Sequence, residues 1–429
     1  MNGIGQPGQP GVPFGLVKNH WGAFGPRAGF AYDFGGNGKT VLRAGTGVMY
    51  ERVQGNDMYN AGQNPPFSGA ISNTNVLLSD PHNLVAGGTA PPGSIGVLNL
   101  TGLDSVNYNN PMSLQYNVGI QRSIFGSNVL SVAYVGNRNF NANSQYDINL
   151  PPQGQLVNLV NSGGTGYNLL LPYRGFRQII LSSNLGSAHY DSLQATLNGR
   201  VKSDLSYTLN YTYSKAIDPT TNGSGDLGNV SNSYNLNYDM GPSNLDRRQM
   251  FISTFIYEIP FLKHNQSRLL KATLGGWEVS GVITAETGVP LSIVAGSGGG
   301  SISAYNAGSN GLSVGTNRPN LVSAVTYPGT LGEWFSTNSF AYPAAGSWGN
   351  SPRNPVYGPD RFNTNLSLFK NFVFSEARGS MIQFRAETFN TWNHPQWNAV
   401  NANFTSSQFG VVTGDTGPRT VQFALRFVY

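Results

Sequence analysis

The sequence predicts an all-β chain, an antiparallel transmembrane β-barrel of about eleven strands, and three observations predict it. Apolar and polar residues alternate with period two along many segments. No segment approaches the roughly 18 consecutive apolar residues of a membrane-spanning helix, and no amphipathic helix of useful length appears. Short and long connections alternate between the periodic segments, which is the asymmetry of bacterial outer-membrane barrels with their short periplasmic turns and long external loops.

The clearest element is a hairpin. Over 190–201, Tyr190, Ser192, Gln194, Thr196, Asn198 and Arg200 face one way, while Leu193, Ala195, Leu197 and Val201 face the other. After the turn Lys202-Ser203-Asp204, Leu205, Tyr207, Leu209, Tyr211 and Tyr213 alternate with Ser206, Thr208, Asn210, Thr212 and Ser214. In water the apolar face would need a second layer, which the sequence does not supply. In lipid it meets hydrocarbon, and the polar face lines a lumen.

From the N-terminus, the same rule marks strands at 26–34, 40–52, 112–124 and 128–138 ahead of the hairpin. Beyond it come 249–259, 277–287, 363–374, 381–389 and 420–429. Most are near the roughly 9–11 residues that cross a bilayer at a tilt. The segment 290–295 either extends the 277–287 strand past a bulge at Gly288 or forms a separate strand. Short connections fall at 35–39, 125–127, 202–204 and 375–380, with a longer one near 260–276; long ones run 53–111, 139–189, 217–248, 296–362 and 390–419. No repeat of fixed period marks a propeller or solenoid. The whole chain, 1–429, is expected to be one barrel domain.

Composition agrees. Charged residues are 10% of the 429, against about 25% in soluble domains. The 12% aromatic content opposes disorder, so the 55 Gly and 25 Pro belong to turns and loops. The net charge of +5 comes from Lys and Arg that form no cluster, so no nucleic-acid partner is expected. Cys is absent, which removes disulfides and thiolate sites. His20, His82, His189, His264 and His394 show no paired ligand spacing. The chain is expected not to be an enzyme and to carry no cofactor.

Several motifs have plain structural readings. Gly36-Asn37-Gly38-Lys39-Thr40 has the end of a phosphate-binding loop, but Asp33 stands where that motif requires its first Gly; a hairpin turn explains it better. Asp218, Thr220, Asn222 and Gly223 have the opening spacing of a calcium loop, yet its twelfth position is Asn229 rather than Glu, and a surface loop is the better reading. Arg385, Glu387 and Arg426 project from polar faces and are expected in the lumen, paired with one another or with a plug. Val421, Phe423, Leu425, Phe427 and Tyr429 share the other face of the last strand, as lipid-facing and girdle residues. The loops 53–111 and 296–362 are long enough to be either functional or disordered.

If the last strand ends in the periplasm, the first one here runs downward, and about eleven strands imply at least one more ahead of position 26. An open wall would expose unpaired backbone to lipid at both edges. The first nineteen residues lack the basic start and apolar run of a secretory signal. The expectation is of a sequence continuing upstream.

Specific runs then resemble a known family. They are Gly358-Pro359 with Asn365-Leu366-Ser367-Leu368-Phe369-Lys370-Asn371-Phe372, Gln383-Phe384-Arg385-Ala386-Glu387-Thr388-Phe389-Asn390-Thr391-Trp392-Asn393-His394-Pro395, and Gly417-Pro418-Arg419 with Gln422-Phe423-Ala424-Leu425-Arg426-Phe427-Val428-Tyr429. Earlier come Pro26-Arg27-Ala28-Gly29-Phe30-Ala31-Tyr32-Asp33, Asp246-Arg247-Arg248, and Gly275-Gly276-Trp277-Glu278-Val279-Ser280-Gly281 with Thr287-Gly288. Together they resemble Oar-like TonB-dependent receptors over nearly the whole chain. The resemblance implies the C-terminal half of a barrel of about 22 strands, a plug and a TonB-engaging segment carried elsewhere, and import of a bulky nutrient such as an oligosaccharide or chelate. It implies outer-membrane lipids as surroundings, the TonB complex as a partner through the missing N-terminal part, and external loops forming the mouth. It also makes the aromatic end at Phe423, Leu425, Phe427 and Tyr429 similar to the signal read by the barrel-assembly machinery. A passive structural or surface-display barrel of about twelve strands, counting 290–295, is the alternative.

Overall fold

A computed structural model describes residues 5, 7–52, 55–62, 64, 76–77, 80–84, 98–161, 167–174, 176–219, 230–261, 267, 270, 273–294, 318–344, 346–375 and 380–429. Eleven strands form its wall: β1 Arg27–Asp33, β2 Thr40–Tyr50, β3 Met112–Ser123, β4 Val129–Asp147, β5 Phe176–Val201, β6 Leu205–Asp218, β7 Gln249–Glu258, β8 Trp277–Glu286, β9 Arg361–Ser375, β10 Ser380–Phe389 and β11 Thr420–Val428. Each pairs with the next in sequence, always antiparallel. This meander is the expected one. Among the described residues β1 and β11 each have one neighbour in the sheet.

Local chemistry sets each turn and face. Between β1 and β2, Gly36 and Gly38 take φ of 62° and 70°, which residues with a Cβ rarely adopt. The Asp33 carboxylate accepts the Gly38 N–H at 2.6 Å and the Gly35 N–H at 3.2 Å. The residue that breaks the phosphate-loop pattern is the turn's anchor. Across the sheet, register keeps like with like: Phe423 lies opposite Ala386, Ala386 opposite Leu368, and Leu368 opposite Val279. The next row, Gln422, Glu387, Ser367 and Ser280, forms the other face. Lys370 interrupts the apolar face near one end, where its ammonium turns to the Gly275 carbonyl between the rings of Trp277 and Phe372, at 5.5 and 5.2 Å.

Two expectations need correction. The segment 139–189 is not all loop: β4 and β5 continue pairing past Asn139 to Asp147, opposite Ile180. Irregularities between Asn139 and Ser144, with Asn141 at φ 56°, break the period-two signal. The 26 residues of β5 span roughly 85 Å at about 3.3 Å each, far more than a bilayer requires. The segment 98–103 adds a parallel partner to this extension. Second, Pro290–Leu291 pairs with Val356–Tyr357 in a separate two-stranded ladder. It is not a twelfth wall strand.

Above the wall, the described loops fold into a cap. One small core holds Leu150, Leu156, Leu159 and Leu171, with Tyr234 and Trp348 against it. A larger one holds Ile293, Phe335, Phe340, Val356 and Val400, where Phe335, Phe340 and Phe409 meet edge to face at 5.2 to 6.0 Å. The part of the 296–362 loop that is described, 318–344 and 346–362, is thus packed structure; 296–317 and most of 53–97 lie outside the described residues.

Candidate functional site

The polar face of the wall carries a hollow of about 670 Å³ spanning β5 to β10. Asn198, Thr208, Thr254, Ser280, Ser367 and Glu387 line it. Hydroxyl and amide groups cross-link it from strand to strand, Thr208 donating to Asn198 at 2.8 Å and Thr196 to Asn210 at 3.0 Å. The face is not wholly polar. Ile256, Val282 and Phe389 also line the hollow and are 51%, 40% and 46% exposed.

All three sequence-selected charges lie on this face. Glu387 stands between Ser367 and Gln422, and Arg385 between Phe369 and Ala424. The Arg385 guanidinium lies 5.1 Å from the Phe369 ring centre, and its Nε donates to Gln383 at 2.7 Å. Arg426 stands opposite Gln383. Among the described residues no ion pair joins Arg385, Glu387 and Arg426 to one another, so the expected mutual pairing is absent. On the opposite face Phe423, Leu425, Phe427 and Tyr429 are 69%, 75%, 62% and 92% exposed.

At the mouth, a second set of charges holds the cap to the strand ends. Arg318 bonds Asp239 at 2.7 Å, the Tyr238 carbonyl at 2.6 Å and the Ser351 carbonyl at 3.0 Å, its guanidinium 3.7 Å above the Tyr238 ring. Arg353 donates to the Asp218 carboxylate and carbonyl, each at 2.5 Å, and to Asn244 at 3.4 Å. Asp246 accepts the Ala216 N–H at 2.7 Å and meets Arg248 at 3.4 Å. Arg247 reaches the Thr287 carbonyl at 2.7 Å and Glu286 at 3.7 Å. The Asp246-Arg247-Arg248 run thus ties the chain entering β7 to the ends of β6 and β8, and the Tyr357 hydroxyl of the cap donates to Asp246 at 3.5 Å. Sequence reasoning missed Arg318, Arg353 and Asp239, although with 10% charge a cation inside a Gly/Ser/Asn loop is itself a signal of a buried pair.

Burial also shifts acids outside the wall's crossing segment. Asp147, on the β4 extension, is held above the usual carboxylate range by desolvation, which the Asn149 and Ile179 N–H groups partly oppose. Burial raises the Tyr234 and Tyr238 phenols as well. Of the calcium-loop positions, Asp218 faces Arg353, while Thr220, Asn222, Gly223 and Asn229 lie outside the described residues. Among the described residues no three of His, Cys, Asp or Glu are grouped to hold a metal ion. The run Gly311-Leu312-Ser313-Val314-Gly315 has the letters of a nucleophile elbow, but it also lies outside them.

Comparison with known proteins gives a family and a fold. The family described as outer membrane beta barrel domain matches residues 1–422. No curated protein matches the chain in sequence. Among solved structures, the outer membrane transporter YddB from Escherichia coli is similar with a TM-score of 0.51 at 11% identity, over 92% of this chain and 39% of that one. The ferric-catecholate import receptor Fiu from E. coli gives 0.39 at 10% identity, over 92% and 34%. The ferripyoverdine receptor of Pseudomonas aeruginosa gives 0.41 at 10%, over 94% and 32%. The chain thus spans about two fifths or less of the length of these structures.

Proposed function

The chain belongs to the outer membrane beta-barrel domain family and is a protein of the outer membrane; from that premise we propose that it is the C-terminal half of the barrel of an Oar-like TonB-dependent receptor that imports a bulky nutrient such as an oligosaccharide or chelate. The observation that carries this reading is the wall itself: eleven strands in sequence order, each antiparallel to the next. An odd number makes β1 and β11 run the same way. They cannot close on each other, or on the equivalent edges of a second copy, with antiparallel pairing; an odd number of further strands can close the barrel.

Two further features support the reading. Ile256, Val282 and Phe389 are exposed on the lumen side, where a plug would cover them. The cap is built from the external loops, with its cores and clasps preformed to shape a mouth. TonB engages such a receptor through segments on its N-terminal side, and the barrel-assembly machinery would read the outward aromatics ending at Tyr429. The passive twelve-stranded barrel loses its extra strand to the cap.

Reading the DNA upstream of the Met1 codon in the same frame tests the proposal. Eleven more alternating strands, a plug and a signal peptide are expected. A stop codon behind a functional ribosome site would overturn it.

A further inference from the structure

On the lipid-facing side of the wall, a group of charges sits where the apolar band ends. Register places Arg138 opposite His189 and Tyr134 opposite Leu193, and Asp191 opposite Lys215 with Leu193 opposite Tyr213. All share one face. Leu193, Tyr134 and Tyr213 are 47%, 40% and 48% exposed, so nothing among the described residues covers it. From Val201 to Asp191, and from Leu205 to Lys215, the strands climb ten residues. At about 3.3 Å per residue and a tilt near 40°, that is roughly 25 Å, the height of the apolar band of such barrels. The charges therefore stand at its external rim.

Within the group, the acid is already satisfied. Arg138 grips both oxygens of Asp191 at 2.9 and 3.0 Å, and the Tyr134 and Tyr116 hydroxyls donate to the same carboxylate. Arg138 is further tied to the carbonyls of Asn137 and Tyr190 at 3.0 and 3.2 Å. The pair is a fixed, neutral platform. Lys215 stands exposed beside it and His189 half-buried, two basic side chains facing outward against no second acid in these register positions.

We infer that this group binds the phosphorylated headgroup of an outer-leaflet glycolipid. Lys215 and His189 contact the phosphate, the Arg138–Asp191 pair positions them, and Leu193 and Tyr213 lie along the apolar part below. That apolar flank commits the site to a lipid rather than a free anion. The inference rests on the wall's place in the outer membrane and not on the transport reading.

Its test uses the protein isolated from outer membranes, titrated in mixed micelles with diphosphorylated lipid A, dephosphorylated lipid A and inorganic phosphate. Lys215→Gln combined with His189→Gln should weaken binding of the phosphorylated lipid by about tenfold or more and leave the dephosphorylated lipid unchanged. Arg122→Gln, which removes an outward cation near the opposite rim, should have no effect. A heat-modifiable shift on a gel reports that each variant is folded. Equal affinity of wild type and double variant would overturn the site, as would phosphate competing at the lipid's own affinity. Loss of the heat-modifiable shift by the wild type would instead overturn the membrane-wall premise, and the site with it.

Discussion

In the wall, Leu425 and Phe423 are 75% and 69% exposed while Ser192 and Ser214, on the other face, are 2% and 7%; in the cap, Phe335, Ile293 and Val356 are fully buried and Arg318 is inside paired with Asp239. The same chain thus follows two burial rules. Every fully buried hydrophobic side chain among the described residues, from Leu100 to Val400, belongs to the cap or to the strand extension that reaches it. The wall hides hydroxyls between strands and turns its leucines and aromatics outward, because its solvent is hydrocarbon. The cap meets water and builds small cores like those of a soluble domain. The boundary is marked by outward Tyr and by the charges around Asp191.

Substitutions that respect or violate the local solvent sharpen this contrast. The largest effect is expected from Arg318→Ala, which strands the Asp239 carboxylate in the cap at a cost of about 3–5 kcal/mol. Limited proteolysis of intact cells should then cut the cap, while the heat-modifiable wall survives; loss of both together would mean the two regions fold as one unit. Next, Leu425→Arg should cost about 2–4 kcal/mol in lipid, whereas Ala424→Arg, one residue away on the lumen face, should cost little. Refolding yields in vesicles measure the difference, and equal yields would refute the assigned faces.

The smallest effect concerns pH. Asp147 has its carboxyl raised by burial, so the folded extension binds a proton more readily than the unfolded chain does. Its stabilisation is present in acid and is lost as pH rises through the window between the ordinary aspartate range and the raised value. Amide exchange at 147–149 and 176–182 should quicken across that window. Asp147→Asn keeps an oxygen for the Asn149 and Ile179 N–H groups and should flatten the dependence; a slope unchanged in the variant would assign it to another group.

The eleven wall strands are legible in the sequence because alternation is a one-dimensional record of a two-sided environment. From Leu205 to Tyr213 every second residue meets lipid, and the pattern needs no knowledge of the neighbour strand. That Arg385, Glu387 and Arg426 share the polar face follows from the same parity. The upper halves of β4 and β5 escaped because irregular pairing near Asn141 breaks the parity and because polar residues there, among them Asn143, Ser144, Ser182 and Ser183, are buried, so polarity no longer tracks exposure. What only the tertiary structure decided is how the long loops pack: that Pro290–Leu291 joins Val356–Tyr357, that Arg318 finds Asp239 79 positions away, and that Phe335 meets Phe409. Such contacts join residues whose separation has no period, so nothing local in the chain announces them. Alternation reports which solvent a residue faces; which distant residue it touches is settled only when the loops close over one another.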